Sequence, residues 1–157
     1  MLKLSIAKFK HFNVGHEGGA MSCDLLVDGK LAAHVENGGN GGPDEFRWVG
    51  AFADYKGYDR PDEVKAFVDA QPEYEFMGVM HKHSLETLLG VLVDEYQEKK
   101  DLTRWCKTLI VIHEKGAAKG KFLTYKCAYT AANVKYVLDK HPGAKVMNET
   151  IGQALVA

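Results

Sequence analysis

Residues 37–43 have a composition that could form an anion-binding loop. Four glycines and two asparagines stand within these seven residues. Glycine adopts positive φ freely, so consecutive backbone N–H groups can turn toward one anion, as they do in phosphate-binding loops. The best-known loops of this kind continue into a helix, whereas here Pro43 is followed by two carboxylates. We therefore keep two interpretations, a connecting loop and a loop that binds a ligand or a partner through Asn37, Gly38, Gly39, Asn40, Gly41 and Gly42.

Three polar residues beside this segment could supply acid–base chemistry. His34 precedes it, and Asp44 and Glu45 follow it. An imidazole or carboxylate held near a phosphate ester can move a proton during hydrolysis or group transfer. No nucleophile elbow and no Walker A pattern accompanies these residues. We expect a non-enzymatic protein with no catalytic residue and no cofactor, and we keep a phosphate-ester enzyme as the alternative.

Two further pairs of side chains could bind a metal or carry out redox chemistry. His81 and His83 point to the same side of an extended backbone, but two ligands do not complete a metal site. We interpret them as structural or surface residues and expect no metal. Cys106 and Cys127 would lie opposite one another in a hairpin symmetric about residues 116 and 117. Free cysteine is usually a small buried hydrophobe, so we expect packing from both.

The charges of the chain are strongly separated along the sequence. The net charge is −1, yet residues 31–102 hold 15 Asp and Glu against 7 Lys and Arg, and residues 103–145 hold 9 Lys and Arg against 2 acids. The two blocks could neutralise each other, or one could be a recognition surface. Lysines interleaved with tyrosines suit a polyanion such as nucleic acid. The candidate polyanion-binding residues are Lys119, Lys121, Lys126 and Lys135.

The first half of the chain has the patterning of strands followed by a helix. Period-two alternation predicts strands over residues 2–9, 21–27 and 30–36, with a loop over 10–20 and a hairpin turn at Asp28-Gly29. Cys23, Leu25 and Val27 should share the buried face. A short strand is expected over 45–52, and Pro61 should open a helix that ends near residue 70.

The second half adds two helices and a second hairpin. Ser84 should cap a helix that ends near residue 100, and Thr130 should cap another over 131–140. Apolar, β-branched and aromatic residues predict strands over 104–113 and 121–129. These elements indicate one α+β domain over residues 1–157, with a mainly antiparallel sheet of five to six strands and two to three helices on one face.

Composition excludes several classes of protein. At 157 residues, with 46% hydrophobic and 26% charged residues, the chain is neither disordered nor fibrous in character. It has no apolar run long enough for a membrane helix, its N-terminus lacks a signal-peptide core, and its three cysteines suit a reducing compartment. We expect a cytoplasmic monomer or small homo-oligomer that makes no use of a membrane.

Residues 27–43 carry a recognisable order: a strand, Asp-Gly-Lys, a second strand, then Asn-x-Gly-x-Gly-Gly. This order resembles short bacteriophage and mobile-element proteins of unknown function, as do Lys107-Thr108-Leu109-Ile110 and the helix near residues 133–140. The resemblance implies a phage origin and a location in the host-cell cytoplasm. It also makes a non-enzymatic modulator of host machinery, such as a host-defence inhibitor that binds a host protein, the leading functional expectation. The alternatives are a nucleotide- or phosphate-ester-binding protein, either a small hydrolase or transferase or a nucleotide sponge that uses the glycine-rich loop.

Overall fold

The computed structural model describes residues 2–13 and 19–156. It divides into two compact units, Met1–Tyr96 and Gln97–Ala157, called unit 1 and unit 2 below. The described residues form four α-helices and nine strands in antiparallel sheets, which confirms the α+β fold. The strands belong to three sheets of four, two and three strands rather than to one larger sheet. The single domain over residues 1–157 stays a prediction.

The four-stranded sheet of unit 1 contains the strands β1 to β4 in chain order. They span Leu4–Asn13, Gly19–Val27, Lys30–Asn37 and Glu45–Trp48. Asp28 and Gly29 both have positive φ, as a two-residue type I′ turn between β2 and β3 requires. The predicted hairpin is therefore confirmed, because the turn depends on two neighbouring residues that tolerate this backbone.

One face of this sheet is apolar and forms the core of unit 1. Along the register Cys23 pairs with Val35 and Val35 with Phe46, and all three side chains are buried. The helix α1, Asp62–Asp69, and the helix α2, Leu85–Trp105, contribute Val64 and Leu89 to the same cluster. Helices thus cover one face of the sheet, and the other face remains polar.

Unit 1 also contains a short 3₁₀ turn, Gly50–Phe52, and a separate two-stranded sheet. Its strands, β5 at Tyr74–Phe76 and β6 at Val79–His81, form a hairpin that turns through Met77 and Gly78. The sequence patterning missed this hairpin. Ser84 caps α2 as predicted, since its Oγ accepts the Thr87 N–H at 3.1 Å.

Unit 2 is built around a three-stranded sheet with the order β8-β7-β9. The strands span Ile110–His113 (β7), Leu123–Tyr125 (β8) and Lys145–Val146 (β9). The helix α3, Ala131–Lys140, has the predicted bounds and is capped by Thr130, while α4 is the single turn Met147–Thr150. Val134 and Val137 of α3 are buried against this sheet.

Several predictions of local structure are wrong. The strands predicted over 45–52 and 121–129 end at Trp48 and Tyr125. Arg104 and Trp105 belong to α2, which runs about one turn beyond its predicted end, so the first strand of the second hairpin begins only at Ile110. The predicted loop over residues 10–20 is strand at both of its described ends. The register pairs Ile110 with Tyr125, and neither Cys106 nor Cys127 lies in a strand, so the two are not cross-strand neighbours.

Candidate functional site

The polar face of the four-stranded sheet brings together charged, imidazole and hydroxyl side chains from neighbouring strands. Asp24 on β2 pairs with His34 on β3, which pairs with Arg47 on β4, and all three side chains point away from the apolar core. We call this surface the polar face. It is formed by Lys8, Lys10, Ser22, Asp24, His34, Glu36 and Arg47.

A β-bulge brings Asp24 and His34 together. From the turn at Asp28-Gly29, an unbroken register would pair Asp24 with Ala33 and Cys23 with His34. The register shifts by one residue between Leu25 and Leu26, so Asp24 pairs with His34 instead. Because a one-residue slip exchanges the two faces of a strand, the bulge places the imidazole and the carboxylate on the same side of the sheet.

The Asp24 carboxylate has two side-chain partners. His34 Nδ1 donates to Oδ1 at 2.7 Å, and Lys8 Nζ lies 2.9 Å from Oδ2. Since a carboxylate only accepts, Nδ1 of His34 carries the proton and Nε2 is the nitrogen left for another group. Burial raises the pKa of the Asp24 carboxyl, but the hydrogen bonds and charges of Lys8 and His34 outweigh burial and lower this pKa below its ordinary value.

Two cavities meet at the polar face. The smaller, of about 170 Å³, is lined by Lys8, Lys10, Ser22 and Arg47 among others, and the larger, of about 460 Å³, by residues that include Asp44 and Tyr58. His34, Glu36 and Arg47 line both. In the smaller cavity the cations of Lys8, Lys10 and Arg47 outnumber the carboxylates of Asp24 and Glu36. The arrangement therefore offers one imidazole, oriented by a buried carboxylate, between a cavity with an excess of basic groups and a larger mixed one.

The glycine-rich segment is organised by its own side chains. Asn37 Oδ1 accepts the Gly39 N–H at 2.9 Å, and Asn37 Nδ2 donates to Asp44 Oδ1 at 2.8 Å. The Gly39 N–H is therefore already bonded within the loop and is not free to contribute to an anion nest. The Asp44 carboxylate is bonded to the same Asn37 side chain. A Cβ on Gly39 would lie 2.8 Å from the Ala20 backbone nitrogen, so this glycine permits close packing of two backbone segments. These contacts favour the connecting-loop interpretation over an anion-binding loop.

The three predicted acid–base residues lie around one cavity. His34, Asp44 and Glu45 all line the larger cavity. Of the three, His34 is the residue whose orientation is fixed by a hydrogen bond to the Asp24 carboxylate. Sequence reasoning missed Asp24, the residue that orients His34. The sequence contains a signal for Asp24, because a charged residue between Cys23 and Leu25 in an alternating strand should lie on the face opposite to the apolar core. A functional carboxylate would be placed on that face.

The β5–β6 hairpin presents an exposed apolar tip. Phe76 is 59% exposed, Met77 88%, Val79 56% and Met80 56%. These residues occupy one turn and its two flanking strand ends, where Phe76 pairs with Val79 and Met80 pairs with Glu75. We call the four residues the hairpin tip.

The predicted histidine pair belongs to the base of this hairpin. The Tyr74 ring centroid lies 4.6 Å from that of His83 and 5.7 Å from that of His81. The two imidazoles therefore contact one aromatic ring. Within the part of the chain that the structure describes, no group of three or more His, Cys, Asp or Glu side chains could hold a metal ion.

The candidate polyanion-binding lysines lie on three successive segments of unit 2. Lys119 and Lys121 precede β8, Lys126 follows it, and Lys135 is on α3, where its Nζ lies 3.5 Å from Asp139 Oδ2. All four lysines are exposed. A polyanion-binding face built from them stays a prediction.

A second histidine cluster lies in unit 2 at the end of α3. His141 Nδ1 donates to Glu114 Oε1 at 2.6 Å, and the Tyr125 hydroxyl donates to His141 Nε2. Both ring nitrogens are therefore occupied by protein groups. The cluster links the end of α3 to β7 and β8, and His141 has no free nitrogen to offer a substrate.

The buried cysteines are poorly suited to nucleophilic chemistry. Burial, with the negative charges of Asp24 and Asp44, raises the pKa of the Cys23 thiol to about 11. Burial also raises the pKa of Cys106. Both remain protonated thiols at neutral pH, in agreement with their packing roles.

Comparison with protein-family models, curated proteins and solved structures finds no match to this chain. Across the described residues, no helix combines the length and the apolar character needed to cross a bilayer.

Proposed function

We propose that the protein is a non-enzymatic binding protein that modulates host machinery by docking the hairpin tip on a host protein. The exposed apolar side chains of Phe76, Met77, Val79 and Met80 carry this proposal. Scattered exposed hydrophobes are ordinary, but here Phe76 and Val79 are directly paired across the hairpin and Met77 lies in the turn between them. Such clustering of exposed apolar side chains is typical of an interaction surface.

The backbone of the hairpin supports such a role. β5 and β6 form a two-stranded sheet, so each strand has one edge without a strand partner within that sheet. Met77 lies in the two-residue turn of the hairpin, and its side chain is 88% exposed. Methionine and aromatic side chains are enriched at interfaces because they fill irregular pockets with large apolar areas.

The flanking charges define the chemistry of the partner. Glu73 and Glu75 are exposed beside the tip, within the acidic block of residues 31–102. An apolar tip with acidic flanks complements an apolar pocket bordered by Lys or Arg. The proposed partner is therefore a host protein with such a pocket.

A site-specific crosslinker tests the proposal. A photoreactive amino acid at position 77 should crosslink one host protein, and the purified pair should form a complex of defined stoichiometry. Changing Met77 and Val79 together to serine should weaken that complex by at least about tenfold, because each buried apolar side chain contributes about 1.5–3 kcal/mol. Leu155→Ser, at a residue 53% exposed in unit 2, is the matched control and should leave the affinity unchanged.

Two results would refute this function. Equal affinity of the Met77/Val79 double variant and the unchanged protein would show that the tip does not contact the partner. A dimer in sedimentation experiments that the double variant abolishes would assign the tip to self-association instead.

A further inference from the structure

We propose that the polar face binds a nucleoside monophosphate, with the phosphoryl group in the smaller, basic cavity and the nucleoside in the larger one. This inference is independent of the docking function, because it uses none of the hairpin-tip residues. In this proposal the anion lies on the side chains of the sheet, whereas the sequence patterning places it at the glycine-rich loop.

His34 is the centre of the proposed site. Its Nδ1 is fixed on Asp24, whose side chain is only 11% exposed, and the ring itself is 34% exposed and lines both cavities. A buried carboxylate bonded to one nitrogen fixes the ring orientation, so that the other nitrogen has one direction in which to meet a ligand. A protonated imidazole donates from both nitrogens and can therefore bridge Asp24 and a phosphate oxygen.

Two cations are available for the phosphoryl group. Lys8 is engaged by Asp24, whereas Lys10 and Arg47 form no ion pair with any described residue and line the smaller cavity. Arg47 is the cross-strand neighbour of His34, so the guanidinium and the imidazole start from adjacent positions of the sheet. A guanidinium matches two phosphate oxygens at once, which makes it a specific phosphate ligand.

The larger cavity has the groups that a nucleoside needs. Glu36 and Glu45 are directly paired across β3 and β4, and like charges in that position are destabilising unless a donor group lies between them. Ribose hydroxyls are such donors. The Tyr58 ring is 79% exposed at the same cavity and offers a face on which a base can stack. A volume of about 460 Å³ lies within the ordinary range of small-ligand pockets.

Nuclear magnetic resonance titration of the full chain tests the site, with AMP, adenosine and inorganic phosphate as the three probes. AMP at concentrations up to about 10 mM, enough for a millimolar Kd, should shift the amide signals of residues 8, 10, 22, 24, 34 and 47. AMP should bind more tightly than either adenosine or phosphate, since it alone fills both cavities.

Three variants separate the site from general electrostatic attraction. Arg47→Gln and His34→Gln should each weaken AMP binding by about tenfold or more. Lys30→Gln removes one positive charge from the same sheet outside the cavities and should change binding less than about twofold. Unperturbed signals elsewhere in the spectrum would show that each variant is folded.

Several outcomes would overturn the inference. The first is the absence of AMP-dependent shifts on the polar face. The second is equal affinity for AMP and adenosine, and the third is an equal loss of affinity in Lys30→Gln and Arg47→Gln. Each outcome is distinct from failure of the docking function, which is read from the partner complex and not from nucleotide binding.

Discussion

Replacing Asn148 by alanine should strongly destabilise unit 2. The Asn148 side chain is fully buried, and its Oδ1 accepts the Val111 N–H at 2.9 Å. Its Nδ2 donates to the Leu109 carbonyl at 2.9 Å and to Gln153 Oε1 at 2.8 Å. The side chain thereby connects α4 to β7 and to the turn that precedes β7.

The magnitude follows from the groups that the substitution orphans. The Val111 N–H lies in a fully buried residue and has no access to water once the Asn148 side chain is removed. The carbonyl of half-buried Leu109 also loses its donor. A buried group left without a partner costs about 1–3 kcal/mol, so the loss at Val111 alone should lower the free energy of unfolding by about that amount. This is a large part of the total of about 5–15 kcal/mol that is usual for a folded protein.

Urea unfolding followed by circular dichroism measures this loss, and amide hydrogen exchange at Val111 reports it locally. Asn133→Ala is the control, because Asn133 Nδ2 donates to the Ala128 carbonyl in an exposed position. Water can replace that bond, so the control should lose less than about 1 kcal/mol. If Asn148→Ala lost no more than Asn133→Ala, with Val111 still protected from exchange, the structural role assigned to Asn148 would be wrong.

Three other predictions concern unit 1 and the thiols. Gly39→Ala should lower the free energy of unfolding more than Gly41→Ala. Both glycines have φ of +73°, but only at Gly39 would the new methyl group contact backbone, at 2.8 Å from the Ala20 nitrogen. Equal losses in urea unfolding would count against this packing of the loop. The lowered pKa of Asp24 means that the folded state binds its proton less readily than the unfolded state, so this stabilisation is present above the ordinary pKa of 3.8 and is lost as pH falls through the folded value. Asp24→Asn should therefore show a shallower loss of stability below pH 3.8, and unchanged acid sensitivity in urea unfolding would contradict the pairing with Lys8 and His34. In thiol titration of the native protein, half-buried Cys127 should react before Cys23 and Cys106, because burial and raised pKa values protect the latter two. Simultaneous reaction of all three thiols would contradict that burial.

The features predicted correctly from sequence depend on residues that are neighbours in the chain. The Asp28-Gly29 turn needs two residues that tolerate positive φ, and the start of α3 needs only Thr130, whose hydroxyl accepts the Asn133 N–H at 3.3 Å. The buried face of β2 follows from simple alternation. Each of these signals is complete within a few residues, so no tertiary information is needed to read it.

The errors arise where tertiary structure decides between two local possibilities. Apolar and aromatic residues around Trp105 suit a strand or a buried helix equally, and the core around Leu102 and Cys106 selects the helix. The β5–β6 hairpin turns at Met77-Gly78, with φ of 52° at Met77, where the usual sequence signal is Asn-Gly or Asp-Gly. Neither outcome could be read from propensity alone.

The candidate site was only partly predictable for a similar reason. His34 is found by residue type and by its position before the glycine-rich segment. Its partner Asp24 depends on the register shift between Leu25 and Leu26, and an unbroken hairpin would have placed the two side chains on opposite faces. The strand register in the folded protein is therefore needed to place the candidate site on the sheet rather than on the loop.

The exposed methionines of the hairpin tip make the proposed docking surface sensitive to oxidants. Hydrogen peroxide converts an exposed thioether to a sulfoxide, which is polar and chiral. Met77 and Met80 are open to this reaction, whereas Met147 is buried. Mild oxidation should therefore convert the tip from apolar to polar while the fold persists, and methionine sulfoxide reductases would restore it. Peroxide treatment should therefore weaken the proposed docking before it unfolds the chain.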